Sequence, residues 1–177
     1  MFQGTIPSGP LSSDKVTNPN GERSFSYHIS DPNPIKTSGG TVRIIDSTKF
    51  PAASTIAVGI VEVAPVGLRE MHWHPNTDEW QYYLEMNWSD DSIYTMLGHL
   101  ILAGDVGAVP FAYGHYMENT SADVKLRFLE VFKSPQFQDV SLNQWMALTP
   151  PELIKQHMNL SDKAMNSLRK DKSSVVK

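Results

Sequence analysis

At 177 residues the chain has room for one domain with a full hydrophobic core and some length left over for arms or helices. A net charge of −4, with acidic and basic residues mixed along the sequence, offers no electrostatic case for nucleic acid, and no apolar run approaches the length of a membrane-spanning helix. The absence of cysteine excludes a disulfide framework and thiolate metal ligands, although it does not settle the compartment.

Residues 1–40 read as an extended arm. Met1-Phe2-Gln3-Gly4 has neither a basic region nor an apolar stretch, so no signal peptide is expected; a cytoplasmic location is the default, or a secreted one if the chain is a fragment. Pro7, Pro10, Pro19, Pro32 and Pro34 punctuate the arm, Ser24–Ile29 offers a short edge strand, and Gly39-Gly40 closes it. From residue 41 to about 135 the texture is that of strands. Thr41–Ile45, Thr55–Ala64, Glu79–Leu84 and Leu126–Phe132 are β-branched or aromatic runs bounded by turn residues. Weaker strands are expected at Ile93–Leu97, Leu100–Leu102, Val106–Pro110 and His115–Asn119. Many short strands point to an all-β sandwich or closed barrel.

Residues 136–177 turn helical. Thr149-Pro150-Pro151-Glu152 carries a helix start, with Thr149 as cap and Glu152 completing a capping box, and Leu153, Ile154 and His157 or Met158 on one face. A second short helix begins at Ser161-Asp162, with Met165 and Leu168 inward, and residues 171–177 read as a frayed polar end. Trp73, Trp80, Tyr82 and Tyr83 are expected to fill the barrel or an interface. Met71, Met86, Met96 and Met117 are expected as core fillers. His28, His99 and His157 have no partners in sequence and read as structural or exposed.

The residues that carry chemistry lie in Gly67–Tyr83 and Gly104–Asn119. His72 and His74 are two apart, so on a strand both imidazoles project from one face. Glu79 follows at hairpin spacing, with Pro75-Asn76 as a turn. Two histidines and a carboxylate suit a borderline or hard divalent ion (manganese, iron or zinc), and His115 is the candidate fourth ligand. Such a set leaves positions open for a small oxygen-donor ligand.

His72-x-His74 followed by Glu79, then Gly104-x5-Pro110-x4-His115-x3-Asn119, resembles the two cupin motifs in tandem. GGTVRIIDSTKF (39–50), REMHWHPNTDEWQYY (69–83), GDVGAVPFAYGHYMEN (104–119) and SLNQWMALTPPEL (141–153) are more specifically similar to the C-terminal half of bicupin oxalate decarboxylases. The resemblance implies a single cupin, a jelly-roll or double-stranded β-helix barrel with an N-terminal arm and C-terminal helices. It implies one manganese ion held by His72, His74, Glu79 and His115, with Arg69 and Glu130 beside it. The implied reaction cleaves oxalate to carbon dioxide and formate, with dioxygen as redox partner. Arg69 would offer a planar fork to a carboxylate, and Glu130 would relay a proton.

The chain departs from the family's pattern in places. Val66 stands where the first motif has a glycine, Gly67 comes one position late, and Met86 replaces a second glycine. The stretch 84–103 is shorter than the family's. The segment Val140–Gln144 has no carboxylate where the active half of a bicupin carries a lid glutamate, and the other cupin half is missing. These departures support a second reading, a weakly active or inactive metal-binding module that binds small carboxylates or supports assembly. A homo-oligomer is expected on either reading.

Overall fold

The computed structural model describes residues 26–30, 32–85, 94–96 and 99–177; for 85, 94–96, 99 and 100 it describes the backbone only. The expected edge strand at Ser24–Ile29 and the 84–103 stretch lie partly outside these residues. Two six-stranded sheets, antiparallel in every pairing among the described residues, form the body. The first contains β1 (Ile35–Thr37), β2 (Gly40–Ile45), β3 (Ala57–Val63), β5 (Glu79–Glu85), β8 (Val106–Val109) and β10 (Leu126–Phe132), in the order β1-β2-β3-β10-β5-β8. The second contains β4 (Leu68–Trp73), β6 (Tyr94–Met96), β7 (His99–Ile101), β9 (His115–Asn119) and β11 (Val140–Ser141), in the order β11-β4-β9-β6-β7, with β12 (Val175–Val176) also pairing with β4. Three short helices follow β11: α1 (Leu142–Leu148), α2 (Pro151–Met158) and α3 (Asp162–Ser167). The all-β cupin architecture expected from the motifs is the one observed.

Strand alternation decides what lies between the sheets. Along β10, Leu126, Phe128, Glu130 and Phe132 are buried while the residues between them are half-exposed. On the neighbouring β5, Tyr83, Gln81 and Glu79 are the buried positions, paired respectively with Phe128, Glu130 and Phe132. The interior is therefore divided lengthwise. One end is apolar, built from Val42, Ile44, Val61, Val63, Tyr83, Met117, Leu126 and Phe128. Each large side chain fully buried there stabilises the fold by about 1.5–3 kcal/mol. The other end holds Arg69, His72, His74, Glu79, Gln81, His115 and Glu130, all essentially inaccessible. Burying that many polar groups is costly unless they are bonded or hold a cation.

Several local expectations are corrected. Glu79 is not across a hairpin from His72 and His74: β4 belongs to the second sheet and β5 to the first, so residues 74–78 carry the chain from one sheet to the other. A five-residue spacing rich in turn residues serves either geometry, and the need to cover both faces of the core selects the crossing. Thr149 does not cap α2, whose N-cap, Pro150, makes no side-chain bond; instead the Thr149 hydroxyl donates to the Trp145 carbonyl and closes α1. Ile154 alone on α2 is buried, with Leu153 and Met158 exposed. The last seven residues do not fray. Val175 is fully buried, and β12 pairs Val175 with Arg69 and Val176 with Leu68. Gly39 and Gly40 admit this strand, since a Cβ on Gly39 would run into the backbone of Val176. Met117 and Tyr83 are core residues as expected and Met71 is not, while Trp80 and Tyr82, expected in the barrel or at an interface, lie on the outer surface.

Candidate metal centre

Three imidazoles and one carboxylate meet at the polar end of the barrel. His72 on β4 is the cross-strand partner of His115 on β9, which brings their rings to a centroid separation of 4.1 Å. His74 leaves the end of β4, and Glu79 opens β5 on the opposite sheet. One ligand atom from each of the four lies within 4.8 Å of all the others, and all four side chains are buried.

Hydrogen bonding fixes the state of each ring. Nδ1 of His72 lies 2.7 Å from the Glu70 carbonyl, Nδ1 of His74 lies 2.7 Å from the Gln138 carbonyl, and Nδ1 of His115 lies 3.1 Å from the Tyr113 carbonyl. A backbone carbonyl only accepts, so each Nδ1 carries a proton, and Nε2 is the atom that each ring turns toward the cluster as its possible metal ligand. These three Nε2 atoms are buried and make no hydrogen bond. Two of them, on His74 and His115, nevertheless stand 2.8 Å from Glu79 Oε2. Atoms so placed repel unless a proton or a metal cation sits between them. The donor set, its burial and the outward-pinned Nδ1 atoms together fit a divalent metal ion.

The electrostatics agree. Burial alone would raise the Glu79 carboxyl, but His115 and His74 beside it pull it far below the usual carboxylate range. Burial, reinforced by the charge of Arg69, holds His72 well below an ordinary histidine and so neutral. For His74 burial works downward and is outweighed by Glu79, which draws positive charge to the same spot.

Arg69 and Glu130, the other two residues singled out in the sequence, lie beside this cluster. The Glu130 carboxylate is 1% exposed, its Oε2 bonds to nothing among the described residues, and Oε1 is 3.7 Å from Arg69 Nε. It faces Gly59 on β3, where an added Cβ would stand only 3.0 Å from Oε2, so glycine keeps that space open. Burial, then the charge of Glu79, push Glu130 up to about 7. Arg69 is fully buried. Its Nη2 donates to Asp139 Oδ2 at 3.0 Å and its Nη1 to the Ser174 carbonyl at 3.1 Å, leaving Nε toward Glu130.

Sequence reasoning missed three supporting residues. Gln81 donates to the second oxygen of Glu79, and the Tyr83 hydroxyl donates to Gln81. Their alternation with Glu79 was a usable signal. Asp139 had none, because it lies 70 residues from Arg69 in a connecting segment. The segment Val140–Gln144 forms β11 and the first turn of α1. The amides of Asn143 and Gln144 bond the carbonyls of Arg169 and Lys170.

A family profile described as Cupin matches residues 27–166. The chain belongs to the cupin family. This cupin is 44% identical over 183 residues to oxalate decarboxylase OxdC of Bacillus subtilis, an alignment that takes in 100% of this chain and 47% of that protein. It is 39% identical over 181 residues to an oxalate decarboxylase of Arthroderma benhamiae, covering 97% of this chain and 42% of that one. Among solved structures, Bacillus subtilis oxalate decarboxylase at pH 4.6 superposes with a TM-score of 0.81 at 42% identity, over 99% of the cupin and 47% of the solved chain. A second structure of the Bacillus subtilis enzyme, from work on its Mn(II) centres, gives 0.80 at 44% identity over 99% and 48%. The cupin thus spans about half the length of the relatives it matches.

Proposed function

We propose that the chain binds one manganese ion through His72, His74, Glu79 and His115 and cleaves oxalate to formate and carbon dioxide. The observation that carries this reading is the convergence of three buried imidazoles and one buried carboxylate, with a ligand atom from each within 4.8 Å of all the others. The similarity to oxalate decarboxylases supports the choice of manganese and of oxalate. Manganese, when bound, supplies an open coordination position for a small dianion and the one-electron chemistry, with dioxygen, that side chains lack.

The chain's own residues have separable tasks. The Arg69 guanidinium, through Nε, offsets the negative charge of a carboxylate brought into the buried end of the barrel. Glu130, raised to about 7, still holds its proton at mildly acidic pH, which supports it as the acid that protonates the carbon that has lost carbon dioxide. The Nδ1–carbonyl bonds keep the three rings from turning away. An exposed apolar column on the outer face of β5 (Trp80, Tyr82 and Leu84), with Val106 on β8, supports self-association into a homo-oligomer.

Purified protein loaded with manganese is expected to release formate from oxalate at mildly acidic pH. Hydrogen peroxide in place of formate would indicate oxidase chemistry, and neither product at full metal occupancy would remove the enzymatic reading. The second reading, metal binding without turnover, is favoured by the engagement of Asn143 and Gln144 with the C-terminal segment, away from any lid role. On that reading oxalate binds the loaded protein, metal stabilises the fold and no product appears.

A further inference from the structure

The guanidinium of Arg69 is held from behind, and the grip comes from parts of the chain remote in sequence. Asp139 is buried, accepts from Arg69 Nη2 through Oδ2, and is itself held through Oδ1 by the ammonium of Lys172. The Ser174 carbonyl takes Nη1 and also accepts from the backbone N–H of Glu70. The other carboxylate paired with Arg69 among the described residues is Glu130, whose Oε1 lies 3.7 Å from Nε and whose Oε2 has no partner among those residues. A guanidinium released from Asp139 would pair two of its N–H groups with Glu130, since bidentate pairing is the favoured geometry of that couple. That would turn the fork toward β10 and use up the carboxyl that faces the metal cluster.

We infer that Asp139, backed by Lys172, is a positioning residue for Arg69: it fixes which edge of the guanidinium faces the cavity and limits its pairing with Glu130 to the single 3.7 Å contact through Nε. The inference rests on the proposed role of Arg69 toward a carboxylate substrate. It adds to that role the reason why the C-terminal segment folds back onto β4. Arg69 and Lys172 outweigh the effect of burial and hold Asp139 below its ordinary range, as its place between two cations requires. A purely structural tie between the tail and the barrel would need no contact with the side chain of Arg69, because β12 already pairs with the backbone of β4.

The test uses the full chain. With diamagnetic zinc supplied, the guanidinium Nε–H of Arg69 is identified by NMR as the protected signal lost in Arg69→Lys. Asp139→Asn and Asp139→Ala should shift this signal and speed its exchange with water about tenfold, the scale of one lost charge-assisted bond. Lys172→Met should produce a smaller change of the same kind, and this variant and Asp139→Asn decide the matter if Asp139→Ala does not fold. In the manganese-loaded protein, Asp139→Asn should raise KM for oxalate about tenfold with metal content unchanged and kcat altered much less. An Arg69 signal that is unmoved in the Asp139 variants, or a lowered melting temperature with KM intact, overturns the inference. A parent chain inert toward oxalate would instead remove the proposed function, and the Arg69 signal alone would then decide the role of Asp139.

Discussion

Gln81 Nε2 lies 2.5 Å from Glu79 Oε1, so one oxygen of this carboxylate is committed while Oε2 stands against the imidazoles of His74 and His115. The Tyr83 hydroxyl in turn donates to Gln81, extending the chain of bonds along the inward face of β5 toward the apolar core. Such support fixes both the direction and the basicity of a ligand. Gln81→Leu is therefore expected to weaken metal binding by roughly 10–100-fold. Isothermal titration of manganese into the parent and variant measures this directly, and an unchanged affinity would show that Glu79 needs no such support.

Metal should also be a structural cation. Three buried imidazoles and a buried carboxylate converge at the polar end of the barrel. An ion that binds only the folded chain, present at a hundredfold excess over its Kd, stabilises by about 2.7 kcal/mol. For a domain of this length the melting temperature should rise by roughly 5–10 °C. The rise should grow with manganese concentration and vanish in His115→Ala. A thermal shift in His115→Ala equal to that of the parent would mean that the ion binds elsewhere.

The convergence of His72, His74, Glu79 and His115 was readable because local rules govern most of it. Period-two alternation puts His72 and His74 on one side, and the strand Leu126–Phe132 has the expected bounds for the same reason. What local rules do not encode is which sheet a strand joins, so the corner between β4 and β5 was indistinguishable from a hairpin. The tail is the sharper case. Val175 and Val176 are two apolar residues after a polar stretch, too short for any periodicity to show, and their pairing with β4 depends on Gly39 and Gly40 far upstream. Asp139 became visible only through the partner that this pairing brings near it.

Val66, in the turn before β4, has φ +57, the left-handed region. A β-branched side chain is strained there by about 1–2 kcal/mol. Glycine would relieve the strain and return part of the gain as extra freedom of the unfolded chain, about 0.5–1 kcal/mol. Val66 is well exposed, so little packing is lost. Val66→Gly should raise stability by roughly 0.5–1 kcal/mol in urea unfolding, at an unchanged m-value. A destabilised variant would mean that the turn before β4 depends on the valine side chain.

Glu130 makes stability depend on pH in a predictable sense. Burial and the charge of Glu79 raise its carboxyl from 4.5 to about 7, so the folded chain holds this proton more tightly than the unfolded chain does. Below the unfolded value the carboxyl is protonated in both states and its contribution is fully present. As pH rises through about 7 the contribution is lost, by on the order of 3 kcal/mol in the metal-free protein. Glu130→Gln keeps the shape of the protonated acid and cannot ionise. His74, shifted up, and His72, shifted down, make opposite contributions to the pH dependence of stability, so the parent's own curve mixes several groups. The difference between the two proteins isolates Glu130. Denaturant unfolding of both, freed of metal, should show the glutamine variant gaining steadily on the parent from pH 4.5 to above 7. A difference that stays constant across that interval would mean that Glu130 is already ionised throughout it, and so could not serve as the acid that protonates the product.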